Sequence, residues 1–492
     1  MVAHVSQNPA EAKRMEADLP SEDLVARTRS RGTARCPGPS VQDILSEERA
    51  GVPDFYLQES YRYLGDEDIP FARYTSPSFF DLEMRYMWPK VWQWACRLEQ
   101  IPQVGDYIVY DIGLHSILVV RLSSDCIKAY HNSCLHRGTN LRARGSEGSA
   151  TNLRCPYHGW TWNLDGTLAR IPCPWDFQHV DPKKFVLPEV KVDVWGGFVF
   201  INLDSDAPPL KEYLEVLPEH MHRWEMESNY TYMCVHKRLP CNWKAAQEAF
   251  MESYHVMETH PQLMNSGTDA NCQYDIYGKH VSRFLSPHGA QSPYMNPPLT
   301  DVDLLNSLLV ADSGLLQRFS GIPEGETLRT VSAKLLRSSL EEALGIDLSK
   351  LSTSEIIDMA EYSLFPNMVV FSGMQLPMAY RFRPVAMDPT RSLFELYLFR
   401  RVPKTGEVPS PPAIVKLDEE QLFAEVPGLD PAFGHVFDQD TMNLRSQQEG
   451  FAAAHKKGET LGTYQEIRLR HFHQTIDSYI AKGQGCTIST NP

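Results

Sequence analysis

Four residues in two short pairs carry the strongest chemical signal in the sequence. Tyr130-His-Asn-Ser-Cys134-Leu-His136-Arg-Gly138 offers one thiolate and one imidazole, and Cys155-Pro-Tyr-His158-Gly-Trp160 offers a second such pair after the eighteen residues 137–154. With both thiolates on one iron and both imidazoles on the other, the quartet suits a two-iron, two-sulfur cluster. Exchanging two thiolates for imidazoles lifts the potential of such a cluster to roughly −150 to +300 mV, against about −400 mV for plant-type all-thiolate clusters. That range suits a relay between a nicotinamide-driven donor and an oxygen-activating iron. Gly138 and Gly159 permit tight backbone beside the sulfurs, where N–H donors tune the potential. The alternatives are a Cys2His2 zinc site or four unrelated core residues. Zinc-finger spacing usually pairs like ligands, whereas each pair here is mixed.

Two more imidazoles, His255 and His260, lie in the segment Asn242–Pro261. Five positions on an unbroken helix is about 500°, which leaves the second ring about 140° from the first. A helix that loosens near Thr259, just before Pro261, swings His260 back. Two imidazoles plus a distant carboxylate form the facial triad of non-heme Fe(II) oxygenases, which keeps positions open for O2. The favoured carboxylate is Asp440 in Val436-Phe-Asp-Gln-Asp440, expected at the start of the penultimate helix, where the dipole welcomes negative charge. Asp438 is the alternative, and both also suit helix capping.

The elements expected to position these residues change character along the chain. Ser40–Asp43 reads as a capping box and Ser76-Pro77 as the start of a helix running to about Trp88. Asp106–Asp111 and Ser116–Arg121 flank a glycine turn as a hairpin, and strand-like pieces follow at 127–130, 161–163 and 197–203. Beyond Pro208, a helical stretch at 210–224, a strand at 230–238 and a long helix over 242–259 are expected. A mostly helical stretch at 300–360, strands at 368–373, 378–382 and 392–401, and helices near 436–455 and 463–481 complete the reading. It divides the chain into a polar extension (1–50), a cluster-bearing unit with a flanking helix (51–205) and an α+β unit (206–492).

The mixed quartet with its Gly-Trp, followed by Asn242-Trp243-Lys244 and by Tyr254-His255 with His260, resembles the alpha (oxygenase) subunits of Rieske non-heme iron, ring-hydroxylating oxygenases, over about residues 70–460. The resemblance implies an N-terminal Rieske β-sandwich-type domain and a C-terminal helix-grip domain, an antiparallel sheet with helices. It implies one [2Fe-2S] cluster and one mononuclear Fe(II) per subunit, and a homotrimer in which the cluster of one chain lies near the iron of its neighbour. Family members commonly bridge the two sites with an Asp three residues before the first iron-ligating His; this chain has Glu252 there. The implied activity is hydroxylation of a hydrophobic, aromatic or polycyclic substrate with O2. A demethylating Rieske monooxygenase is the alternative. From other classes come a Rieske electron-transfer protein without oxygenase chemistry and a structural zinc protein.

No GxGxxG or Walker loop follows a strand, so electrons are expected from a separate NAD(P)H-dependent reductase, directly or through a ferredoxin. Arg137, Arg142, Arg144 and Arg154 beside the cluster would form a docking patch for an acidic donor. The net charge of −15 argues against a nucleic-acid partner. No apolar run approaches the ~20 residues of a membrane span, and no signal peptide is evident, so a cytoplasmic protein is expected. The ten cysteines are then expected to stay unpaired, with Cys96, Cys173 and Cys234 as packing residues. His220 and His222 read as surface residues. The apolar stretches 304–316 and 368–371 could line a substrate pocket or serve as core.

Overall fold

The protein was analysed as a computed structural model. It describes residues 32–486 apart from 37, 49–50, 266, 268, 296, 309–318, 320, 375 and 403–408. Most of the N-terminal extension and of the 304–316 stretch therefore lie outside the described residues.

The first sheet has seven strands: β1 (Gln93–Arg97), β2 (Asp106–Ile112), β3 (His115–Arg121), β4 (Ile127–His131), β5 (Glu147–Ser149), β6 (Glu189–Trp195) and β7 (Phe198–Asn202). Their order is β1-β7-β6-β4-β3-β2-β5. The expected hairpin is present, with Ile112 opposite His115 across its turn. A small three-stranded sheet (Leu153–Arg154, Thr161–Trp162, Leu168–Arg170) carries the second ligand pair. Between the two, Val109, Leu118, Tyr130, Leu153, Trp160 and Trp162 form a core that also buries Cys134 and Cys155.

The second sheet contains β8 (Asn229–Leu239), β9 (Gln273–Tyr277), β10 (Val281–Ser286), β11 (Met359–Leu364), β12 (Met368–Ser372), β13 (Met378–Val385), β14 (Asp388–Arg401) and β15 (Val415–Leu417). Their order is β9-β10-β11-β12-β13-β14-β8-β15. Only the β8/β15 pairing is parallel. Helices α1 (Trp243–Glu248), α2 (Val256–Thr259), α3 (Leu328–Leu344), α4 (Pro431–Ala453) and α5 (Ile467–Gly483) accompany this sheet. The mixed α+β architecture follows the sequence expectation. No helix among the described residues is long and apolar enough to cross a membrane.

Several expectations need correction. The long helix over 242–259 is broken: α1 stops at Glu248, and a turned segment separates it from α2. All six α1 side chains are buried, so packing rather than a continued spiral fixes this stretch. The stretch 210–224 forms short pieces, Leu210–Tyr213, Leu217–Met221 and a 3-10 turn at His222–Trp224. His220 is buried rather than on the surface, stacked on Phe55 with ring centroids 4.9 Å apart and 3.1 Å from the Tyr362 hydroxyl. Cys173 is exposed rather than packed, and adopts a left-handed φ of +51°.

Part of the 51–205 unit also belongs elsewhere in space. Arg283 on β10 donates to the carbonyl of Phe55, Gln273 on β9 donates to that of Gln58, and Ile69–Pro70 pairs with Gly458–Glu459. Buried donors of the second sheet take up carbonyls of this stretch, and Phe55, Tyr56 and Ile69 join the main hydrophobic core. The two sheets meet through Arg381 on β13, which donates to the carbonyls of Trp94 (2.6 Å) and Ala95 (2.8 Å) on β1.

Candidate metal centres

The two Cys/His loops share one hydrogen-bond pattern. Cys134 N–H donates to Thr139 O (2.8 Å) and Gly138 N–H to Cys134 O (2.9 Å); Cys155 N–H donates to Trp160 O (2.8 Å) and Gly159 N–H to Cys155 O (3.2 Å). Each loop turns through a glycine at positive φ, +77° at Gly138 and +74° at Gly159, a region costly for residues with a Cβ. The turns bring the rings of His136 and His158 edge to face, with centroids 4.6 Å apart. His136 stacks on Trp160 at 5.1 Å, and its buried Nδ1 has no hydrogen-bond partner. Burial pushes the Cys134 thiol up, with the Cys155 sulfur beside it adding to the effect. Two crowded thiols and an orphaned ring nitrogen are what a thiolate- and imidazole-ligated cluster would satisfy.

At the second site, helix α4 brings Asp440 to the two imidazoles. Asp440 Oδ1 lies 2.7 Å from His260 Nε2 and 3.3 Å from His255 Nε2, and one ligand atom from each of the three falls within 4.8 Å of the others. His260 and Asp440 are buried, while a quarter of the His255 side chain is exposed. Asp438 is committed elsewhere: it accepts the N–H groups of Phe423 (2.8 Å) and Ala424 (3.0 Å). The dipole argument for Asp440 does not hold. Helix α4 begins at Pro431 with Asp430 as its cap, so Asp440 sits well inside it.

Glu252 lies in the turn after α1. Its Oε1 accepts from Nδ1 of His255 (2.5 Å), and its Oε2 accepts the N–H groups of Tyr254 and of His255 (3.1 Å). The carboxylate thus orients the imidazole and accepts the two N–H groups that lead into α2, leaving Nε2 to face Asp440. Gln439 does the same for His260, its Oε1 accepting from Nδ1 at 3.0 Å, a role that sequence reading missed. Arg468 on α5 pins the Glu252 turn by donating to Met251 O (2.9 Å), and Tyr274 pins it through the N–H (3.1 Å) and hydroxyl (2.6 Å) of Ser253. Arg468 also pairs with buried Glu361 at 3.0 Å. Burial opposes a charged His255, yet the Glu252 and Asp440 carboxylates outweigh it and push the ring up to about 10. A field that holds a proton this firmly also suits a divalent cation.

A second His/Glu constellation is a different object. Glu248, Glu459 and His473 surround the Tyr74 hydroxyl at 2.8, 2.5 and 2.8 Å, so a phenol stands where an ion would lie. The docking arginines are also largely spoken for. Arg142 donates to the carbonyls of Leu141, Asn152 and Arg154, and Arg144 to those of Gly113, Leu114 and His115. These two of the four arginines therefore brace the ligand loops.

Residues 91–181 match the Rieske [2Fe-2S] domain, and residues 217–482 match the ring hydroxylating alpha subunit (catalytic domain). The chain belongs to the ring-hydroxylating alpha subunit family. The two matches place a Rieske [2Fe-2S] domain and a ring-hydroxylating catalytic domain in one chain. It is similar to the glycine betaine monooxygenase oxygenase subunit of Pseudomonas aeruginosa, 30% identical over 229 residues (46% of this chain, 52% of that protein). It is similar to the carnitine monooxygenase oxygenase subunit of Escherichia coli, 32% identical over 225 residues (44% and 58%). A third relative is the anthranilate 1,2-dioxygenase large subunit of Acinetobacter baylyi, 29% identical over 201 residues (38% and 41%). The chain spans about half the length of the curated relatives it matches. The fold resembles that of the quaternary ammonium Rieske monooxygenase CntA, with TM-score 0.59 and 19% identity, covering 84% of this chain and 95% of the other. Naphthalene 1,2-dioxygenase aligns with TM-score 0.59 and 16% identity, covering 85% and 93%.

Proposed function

We propose that this protein is an oxygenase component that hydroxylates an N-methyl or N-alkyl carbon of a small quaternary ammonium compound. The observation that carries the oxygenase reading is the meeting of His255, His260 and Asp440 around one point. In this reading Cys134, His136, Cys155 and His158 hold the cluster, and the three-residue site holds Fe(II). The iron supplies the binding and reduction of O2. The chain's own residues do the rest: Glu252 and Gln439 hold the two imidazoles by their Nδ1 protons, and Asp440 contributes negative charge. Glu252 also stands where a bridge to a neighbouring subunit's cluster is expected, in a homotrimer. Electrons come from a separate NAD(P)H-dependent reductase, directly or through a ferredoxin.

The substrate class is supported by the quaternary ammonium enzymes among the relatives at 30% identity or more. Overall, substrate, O2, two electrons and two protons give hydroxylated substrate and water. The new hydroxyl on a carbon beside nitrogen then collapses to a carbonyl compound and a freed amine.

The test is NAD(P)H and O2 consumption with a general reductase across glycine betaine, carnitine, choline, anthranilate and naphthalene. Expected is turnover with a quaternary ammonium compound, releasing one carbonyl and one amine product. Ring-hydroxylated product from an aromatic compound, with no response to the ammonium compounds, would reject the substrate class and leave the oxygenase reading intact.

A further inference from the structure

A cleft of about 420 Å³ lies where the two sheets meet. One wall is the β2–β3 turn with Asp111, Gly113 and Arg144; the other is the second sheet, with His236 and Arg238 on β8, Arg383 on β13 and Lys416 on β15. Its charge runs against that of the molecule, which is −15 overall. Behind Arg383, the fully buried Glu395 receives two guanidinium forks, Arg381 at 2.6 and 2.8 Å and Arg383 at 2.8 and 2.8 Å. One carboxylate between two arginines leaves a positive charge unbalanced. Arg144 pairs with Asp111 at 3.3 Å, which cancels that pair. Arg238 and Lys416 are exposed on adjacent strands and have no ion pair or side-chain hydrogen bond among the described residues; Asp418 is the one further carboxylate on the walls. On the walls, four cationic side chains therefore stand with two carboxylates.

We propose that this cleft is a binding site for a small dianion, a phosphate ester or a dicarboxylate, separate from the iron site. Two negative charges match the local excess. The Arg238 guanidinium, with no side-chain partner among the described residues, presents a fork to the paired oxygens of either group, and the volume is that of a small-molecule pocket. Arg383 also donates to the Asp111 carbonyl at 2.9 Å, so a dianion here would rest on a joint between both sheets and tighten it.

The test uses the iron-loaded oligomer, titrated calorimetrically at constant ionic strength with inorganic phosphate and, separately, with succinate. Saturable binding at one site per chain is expected for one of the two. Phosphate binding alone identifies a phosphate ester as the ligand class; succinate binding alone identifies a dicarboxylate. The double variant Arg238→Ala/Lys416→Ala should lose at least tenfold in affinity while keeping the cluster spectrum and turnover. Absence of saturable binding, or unchanged affinity in the double variant, overturns the proposal. So does a raised KM for the electron donor in the double variant without dianion binding, which would make the cleft a docking surface for an acidic protein.

Discussion

At the scale of single residues, the proposed iron site depends on side chains outside the His255, His260 and Asp440 triad. Gln439 fixes the tautomer of His260 through a 3.0 Å hydrogen bond, and Gln262 donates to the same amide oxygen at 2.6 Å. Such partners are typically worth about 10–100-fold in metal affinity. Gln439→Leu should therefore lose mononuclear iron to a chelator far faster than the parent, with unchanged cluster absorbance. Asp438 and Asp440 separate two roles. Asp440→Ala should lower iron from three to two per chain and abolish turnover with little loss of stability. Asp438→Ala should cost about 1–3 kcal/mol by orphaning the buried Phe423 N–H and the half-buried Ala424 N–H, read as a drop in Tm. Retention of three irons by Asp440→Ala would remove it from the ligand set. His255, His260 and Asp440 were legible in the sequence because ligand chemistry restricts residue type. Gln439 was not, since an amide gives no such signal until a fold places it against a ring nitrogen.

At the scale of elements, the ligand loops are set by backbone that only glycine adopts readily. Gly159 holds φ at +74°, and a Cβ there would meet Arg154 Nη2 at 3.3 Å. Gly159→Ala should cost about 1–2 kcal/mol and lower the fraction of chains carrying the cluster, measured by visible absorbance per chain. Full cluster loading with an unchanged Tm would show the turn to be unstrained. The hairpin at 106–121 and the capped starts at Ser40 and Ser76 were readable because their signals are local. The break after Glu248 was not. Residues 242–259 have few helix breakers, and the turn exists because Glu252 accepts the N–H groups of Tyr254 and His255 while Tyr274 and Arg468, from later in the chain, hold it. Strands β9, β10 and β11 also escaped reading. Buried on both faces, they lack the alternation that betrays a half-exposed strand.

At the scale of the whole molecule, buried acids shape the pH response. Burial pushes Glu248 up to about 7 and Glu459 up to about 8 around the Tyr74 hydroxyl. Folded-state values above the ordinary carboxylate value of 4.5 mean that the native form keeps these protons. Their stabilisation is complete below about pH 4.5 and is lost as pH rises through 7 to 8. Glu459→Gln should flatten the decline of Tm between pH 5 and 8; an unaltered decline would assign it to other groups. Subunit assembly gives a second prediction. If a cluster serves a neighbour's iron, co-assembled Cys155→Ser and Asp440→Ala chains should regain turnover that neither has alone. No recovery in confirmed mixed oligomers would place transfer within one chain. The Arg381 joint bears on this traffic. Its guanidinium ties Glu395 to the Trp94 and Ala95 carbonyls, all of them buried. Electron tunnelling slows exponentially with separation, so a hinge here would make every transfer event different. If the cluster serves a neighbour's iron, a strut between the sheets would instead fix the tunnelling distance at assembly, before any substrate arrives.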